Sequence, residues 1–422
     1  MTTCRLRVVA TLLTIAWVCT ALGISCRPAE QVSGPVTGLP PYRPRVAAEP
    51  RRPVAQWEAD TLQLSFAGDI MAHRVNFETT PFSSIYAGVA EILQGDDASF
   101  ANLEFTVDPQ RPYSTYPRFN VHPDYVAAAI AGGFDIFSLA NNHSTDFGRE
   151  SIAQTRAGLR RLAESHGVSS AGLKERPGDP IGLETIDVAG WSVGFIAVTL
   201  FVNDPGRGLE LVDHVDLRSA ESRQTLLDVV ARAAGEHDVV AVSVHGGVEY
   251  ALDAHPDKAA FYHEIAAAGA TVVWGHHPHV LQPWAYHPRD DGGTSLVLYS
   301  TGNFISGQIH YLGADDARRR RAFTGDSAIF QVTIARDGEA RAGARDGGAT
   351  ATVVRVEPRY IANVREPGGG FVVFPFDALP PLEPEWRDYY AERRRLMVRE
   401  LDRAHRRVDA RRGALRRSTA PF

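Results

Sequence analysis

Two stretches, Leu64-Ser65-Phe66-Ala67-Gly68-Asp69-Ile70-Met71-Ala72-His73 and Val272-Val273-Trp274-Gly275-His276-His277-Pro278-His279, follow one rule. In each, a short apolar run stops on glycine and then delivers carboxylate or imidazole side chains. Runs apolar at nearly every position are the mark of strands buried on both faces. In an open α/β sheet, ligands collect in the loops beyond the strand carboxyl ends. Four more stretches repeat the pattern: Ser99-Phe100-Ala101 runs into Asn102-Leu103-Glu104, and Phe137-Ser138-Leu139-Ala140 into Asn141-Asn142-His143. Val242-Ser243-Val244 leads to His245-Gly246-Gly247-Val248-Glu249, and Leu298-Tyr299-Ser300 to Thr301-Gly302-Asn303-Phe304. The sequence therefore aims polar groups from six strand ends at one rim.

Outward from these points the chain alternates. Leu62–Ala67, Ala98–Leu103, Ile136–Leu139, Ser192–Val198, Val239–Val244, Thr271–Trp274 and Leu296–Tyr299 read as strands, and Val121–Ala131, Arg149–His166, Ser219–Gly235 and Ala259–Ala268 as helices. Alternation of this kind predicts an α/β sheet covered on both sides. Thr352–Val356 and Phe371–Phe374 lack intervening helices, which predicts an antiparallel edge. A domain over residues 61–378 follows, because α/β sandwiches reach about 250–300 residues around one core.

Composition agrees with a globular body: 44% hydrophobic and 22% charged residues exclude disorder of the whole chain. A net charge of −6 gives no argument for nucleic acid. Residues 1–60 carry seven Arg against four acids and residues 383–422 twelve Arg against seven, which leaves the middle near −14, a balance suited to divalent cations. All three cysteines, Cys4, Cys19 and Cys26, precede the body, so neither disulfides nor thiolate-bound zinc hold it together.

Arg5 and Arg7 ahead of the apolar run Val8–Ile24 predict a signal peptide over residues 1–26. The ending Leu22-Gly23-Ile24-Ser25-Cys26 resembles a bacterial lipoprotein cleavage site, with Gly23 where a large aliphatic residue is usual. The expectation is export to the outer side of a bacterial membrane, lipid-anchored at Cys26, with simple cleavage nearby or an uncleaved signal anchor as the alternatives. Proline-rich residues 27–60 read as an extended tether. Beyond Pro380-Pro381, Glu385–Arg417 reads as a basic amphipathic helix within a tail over residues 379–422, with Trp386, Tyr389, Tyr390, Leu396, Val398 and Leu401 on one face.

Asp, Glu, Asn and His together are donors for Mn²⁺, Fe²⁺ or Zn²⁺, and a carboxylate between two ions lets one loop serve both. Three His in the four residues His276–His279 are hard to satisfy as core residues. Together the six loops predict a two-ion centre of the kind that clamps a phosphoryl group and activates water.

Gly-Asp-Ile-Met (68–71), Asn-Leu-Glu (102–104), Leu-Ala-Asn-Asn-His (139–143) with Asp146-Phe147-Gly148, His245 to Tyr250, Gly275 to Pro283 and Gly302-Asn-Phe form an ordered series. It resembles the motif series of CapA-like capsule (poly-γ-glutamate) synthesis proteins over about residues 62–310. The resemblance implies the calcineurin-like metallophosphoesterase fold, a four-layer αββα sandwich holding two divalent ions. It implies that Asp69 binds one ion, that Glu104 bridges both where the wider superfamily has Asp, and that Asn142, His245 and His277 bind the second. His279 would return to the first ion, and His143 would donate the proton. His276 fits the Gly-His-any-His pattern in a second register, with His277 preferred for its spacing to His279. Met71 stands where the superfamily places a histidine, and His73 is the candidate to replace it. Gly246, in the place of a bulky aromatic, leaves room beside the metals. Arg74, Asn141, Glu249, His276 and Asn303 are expected to support the ligands or touch the substrate.

The function expected is a metal-dependent hydrolase in cell-envelope or capsule polymer metabolism. The alternative is a non-catalytic, membrane-anchored component of a polymer synthesis or export complex. Expected partners are an anionic envelope polymer or a phosphoester, and membrane-embedded synthesis subunits.

Overall fold

The computed structural model describes residues 61–337 and 350–418. The signal-peptide and tether expectations lie outside the described residues. In chain order the strands are β1 (Thr61–Ile70), β2 (Ala98–Leu103), β3 (Thr106–Val107), β4 (Asn120–Val121), β5 (Ile136–Ser138), β6 (Ser169–Ala171), β7 (Glu184–Val188) and β8 (Trp191–Thr199). They continue as β9 (Val239–His245), β10 (Val272–His276), β11 (Trp284–Pro288), β12 (Thr294–Leu298), β13 (Asn303–Ile305), β14 (Asp326–Asp337), β15 (Thr350–Arg365) and β16 (Phe371–Pro375). The principal helices are α1 (Pro123–Gly132), α2 (Arg149–His166), α3 (Ala220–Glu236), α4 (Pro256–Ala267) and α5 (Pro384–Ser418).

Local chemistry sets the helix limits. Pro123 and Pro256 open α1 and α4, where the missing N–H costs nothing. The Ser219 hydroxyl caps α3 by accepting from Ser222 N at 3.2 Å. Gly133 and Gly167, at φ 115° and 71°, end α1 and α2 in the left-handed conformation that closes a helix.

One sheet runs β16-β15-β14-β1-β2-β5-β6, with β13 added beside the end of β1; the other runs β11-β12-β10-β9-β8-β7. Neighbours among β1, β2, β5 and β6, and among β12, β10, β9 and β8, are parallel. Antiparallel strands flank both parallel blocks. The expected antiparallel edge is β14-β15-β16. Its innermost strand, β14, was not read from the sequence, although Ala328, Phe330, Val332 and Ile334 alternate there and are all buried.

The two sheets face each other, and the period of two decides which residues meet. In β9, Val239 and Ala241 join the core shared with Phe66, Phe100 and Trp274. Val240, Val242 and Val244 turn the other way, onto Leu226 and Val230 of α3 and Phe261 and Ile265 of α4. Aromatic rings close the gap between the sheets, with Phe66 and Trp274 centroids 5.7 Å apart and Phe100 and Phe195 5.5 Å apart. The outer face of the first sheet is covered through Phe304, which stacks on Tyr86 at 5.7 Å and meets Phe134 edge-on at 5.0 Å. The result is a four-layer αββα sandwich. A second consequence of this packing is polar: Trp274 Nε1 donates to Ala67 O at 2.9 Å and Ser243 to Ser138 at 2.9 Å, fixing the sheets in relative position near the rim.

The C-terminal helix is held against the body. Tyr389, Tyr390, Leu396, Met397 and Leu401 are buried, whereas Val398, expected on the apolar face, is 37% exposed.

Candidate metal centre

Register assembles the rim before any side chain is considered. Asp69 pairs with Asn102 of β2 and Asn303 of β13, and His245 pairs with His276. Gly68 permits this, since a Cβ there would lie 2.0 Å from Gly302 O. His277 and His279, on either side of Pro278, both adopt positive φ, at 89° and 57°. Such backbone costs about 1–3 kcal/mol per residue and persists only where surroundings impose it.

The side chains converge. Donor atoms of Glu104, His245 and His277 lie within 4.8 Å of one another, as do those of Asp69, Glu104 and His279, and those of Glu249, His277 and His279. Glu104 Oε1 is 3.7 Å from His279 Nε2 and 3.9 Å from His245 Nε2. His245 Nε2 also stands 2.7 Å from Asn142 Oδ1, whose amide is turned by donating Nδ2 to Asn203 Oδ1 at 3.2 Å. Asp69, Glu104, His245 and Asn303 are wholly buried, and Asn142, His277 and His279 nearly so.

These donors fit divalent cations on an observation of their own. Neither oxygen of Glu104 meets a hydrogen-bond donor, and Asp69 Oδ2 accepts no hydrogen bond. A buried carboxylate with nothing to neutralise it is costly unless a cation completes it. Glu104 also stands in two of the three donor sets. The cluster of titrating groups agrees. Burial tends to raise Asp69, yet the His276 and His279 rings, 3.0 and 3.3 Å from its two oxygens, outweigh it and hold this carboxyl well below its usual range. Burial pushes Glu104 well above the usual range, reinforced by Asp69. Burial, with His277 and His279 respectively as neighbours, keeps His245 and His277 in the neutral form that ligates.

Hydrogen bonds orient the rings. Asn303 Nδ2 donates to Thr324 O at 2.9 Å and Gln308 Oε1 at 3.2 Å, so its Oδ1 accepts from His279 Nδ1 at 3.0 Å. That assignment leaves His279 Nε2 with a lone pair towards Glu104. His143 Nδ1 lies 2.8 Å from Asp146 Oδ2, its Nε2 faces Glu104 Oε1 at 4.0 Å, and Phe119 packs edge-on to the ring at 4.7 Å. Asn141 works from behind: Nδ2 donates to Leu103 O at 2.7 Å and Oδ1 accepts from His143 N at 3.0 Å.

Three candidates lie outside the donor sets, and of these only His276 touches a donor. His276 points Nδ1 at Asp69 Oδ1, 3.0 Å away, and belongs to none of the three donor sets. His73 is likewise outside them, its Nδ1 accepting from Gly307 N at 3.2 Å and its imidazole pushed down to about 3 by burial and the His279 and His143 rings. Arg74 lies at the surface, 3.7 Å from Glu78. Sequence reasoning assigned no role to Asn102, whose Nδ2 donates to Asp69 Oδ1 at 2.8 Å, or to Asp146, though its place three residues after His143 was a signal. Lys258 gave no signal within an apolar helix, yet it is buried with no hydrogen bond at Nζ, which lies 5.2 Å over the Tyr262 ring, and is pushed down to about 7 by burial, against the pull of Asp69.

Fold and donor set together define a class: an αββα sandwich with a carboxylate and imidazole cluster at its strand ends. Residues 63–308 match the family described as bacterial capsule synthesis protein PGA_cap, and the chain belongs to that family. Capsule biosynthesis protein CapA of Bacillus anthracis is 26% identical over 270 residues, covering 61% of this chain and 62% of that one, less than two thirds of the relative's length. PGA biosynthesis protein CapA of Bacillus subtilis (strain 168) is 26% identical over 300 residues, covering 68% of this chain and 72% of that one. A crystal structure of a hypothetical protein from Thermus thermophilus superimposes with a TM-score of 0.39 at 19% identity, covering 71% of this chain and 98% of that one.

Proposed function

We propose that this protein is a metal-dependent hydrolase acting on an anionic ester or polymer of the bacterial cell envelope. The observation that carries the reading is Glu104, buried without a hydrogen bond and shared between two donor sets. Asp69 and His279 would hold one ion, and His245, His277 and Asn142 the other. Divalent ions there would supply Lewis acidity to an ester oxygen and lower the pKa of a water. His143 holds a proton at Nε2 for the leaving oxygen, and Asp146 fixes the ring in that orientation. Phe119, against His143, shields this proton from bulk water.

Relatives named for capsule and PGA biosynthesis support a place in capsule polymer metabolism, with a poly-γ-glutamate-like chain as the polymer. The proposed setting is the outer side of the membrane, with the lipid at Cys26 as anchor and membrane-embedded synthesis subunits as partners. Purified full-length protein given Mn²⁺ or Zn²⁺ is expected to contain bound metal by elemental analysis and to cleave an aryl phosphoester, with loss in His143→Ala. No turnover with any metal or envelope substrate, alongside retained polymer binding, would replace the hydrolase by a polymer-binding component of a synthesis complex.

A further inference from the structure

A cavity of about 530 Å³ opens between α5 and the segment around residues 318–323. Its walls carry Arg318, Arg320, Arg395, Arg399 and Arg403 against only Asp253 and Glu400. In a chain of net charge −6 this is a local excess of the opposite sign. The available acids are shared: Glu392, beside the cavity, pairs with both Arg318 (2.9 Å) and Arg395, and Glu400 with both Arg399 (3.1 Å) and Arg403 (2.9 Å). Each guanidinium has five N–H donors in a planar fork, so one shared carboxylate leaves most of them for another anion. The side chains of Arg318, Arg395 and Arg403 are 79%, 55% and 51% exposed, open to a ligand from solvent. Between the Arg side chains the lining is apolar, formed by Leu252, Phe323, Leu396 and Ala404.

One wall of the cavity is bonded to the loop of the metal centre through Tyr250. Arg320 donates Nε and Nη2 to Tyr250 O at 3.2 and 2.9 Å, and Arg321 lies over the Tyr250 ring at 4.1 Å. That ring is 6.2 Å from the ring of His279, and Tyr250 N donates to Pro278 O at 2.9 Å. Tyr250 therefore joins the wall of the groove to the His277-Pro278-His279 loop.

We infer that this groove is a second binding site, separate from the metal donors, that holds an aliphatic chain bearing spaced carboxylates. Guanidinium forks recognise carboxylates in bidentate fashion, and the apolar lining accepts the methylenes between them. Concave walls suit a chain entering the groove, whereas a membrane surface would need a convex or flat basic face. The inference rests on the hydrolase reading only for the direction in which the chain runs.

The test uses full-length protein and the variant Arg395→Gln/Arg399→Gln/Arg403→Gln, whose altered residues contact none of the metal donors. Binding of fluorescein-labelled γ-linked oligoglutamate is read by anisotropy, and aryl phosphoester turnover is measured in parallel. The expected result is at least a tenfold loss of oligoglutamate affinity in the variant, a steep decline with salt in the parent, and unchanged phosphoester turnover. Equal affinity in parent and variant overturns the groove. So does binding to phosphatidylglycerol vesicles, lost in the variant, without binding of oligoglutamate. Phosphoester turnover that is absent in the parent while the tenfold difference persists removes the hydrolase reading and leaves the groove standing.

Discussion

Asp146 and His143 are linked by one short bond, and at the scale of single residues that bond matters most for the chemistry. The carboxylate also accepts from Phe119 N at 2.8 Å, so it is fixed before it orients the ring. Asp146→Asn can keep an acceptor for Phe119 N and His143 Nδ1 but removes the negative charge beside the ring. Its kcat on an aryl phosphoester is expected to fall roughly 100-fold with KM little changed, as steady-state kinetics would read. Asp213 gives a different prediction. Burial pushes its carboxyl up to about 6, against the Gly182 N–H and Lys174. Because the folded value exceeds the unfolded 3.8, the folded state binds the proton more tightly. The associated stability is complete below pH 3.8 and is lost as pH rises through about 6, a difference of up to about 3 kcal/mol. Asp213→Asn is expected to flatten that part of the pH profile in thermal melts; an unchanged profile would remove Asp213 as its source.

Helix α5 shows how one element is attached. Arg393 is wholly buried, donates Nη1 to Ala317 O at 2.7 Å, pairs with buried Asp326 at the start of β14, and lies over Phe323 at 4.0 Å. Removing one partner of a buried pair strands the other. Arg393→Met is therefore expected to cost about 3–5 kcal/mol in urea denaturation, and Asp326→Asn added to it to recover most of the loss. The sequence displayed this helix and its basic character but not its docking, because a mid-helix Arg reads as solvated until a buried carboxylate faces it. The same limit applied to β14: its alternation was present, but only its place beside β1 makes it a central strand.

At the scale of the molecule, the centre draws on both sheets, so metal binding and folding are linked. Chelation is expected to lower the melting temperature, because ligand at 1,000 times its Kd stabilises the folded state by about 4 kcal/mol. Glu104→Gln is expected to lose bound metal and the chelator response together. Its metal-free form should melt above the metal-free parent, since a carboxyl whose ionisation burial disfavours is gone. A metal-free Glu104→Gln protein less stable than the parent would contradict the account of Glu104.

Period and chemistry along the chain were enough to place the parallel strands of the two facing sheets other than the short β6 and β13, the four long helices of the body and the donors at the strand ends. Those features are local: apolar runs, glycine stops and polar residues are written at fixed offsets. Which imidazole faces which carboxylate was not local. His276 and His277 are neighbours in sequence, yet positive φ at His277 turns it into the donor sets while His276, the last residue of β10, is directed at Asp69. The burial of Lys258 and the Arg groove beside Tyr250 depend likewise on segments that meet only after the two sheets pack, since distance through space between remote residues is set by the closed core and not by their spacing in the chain.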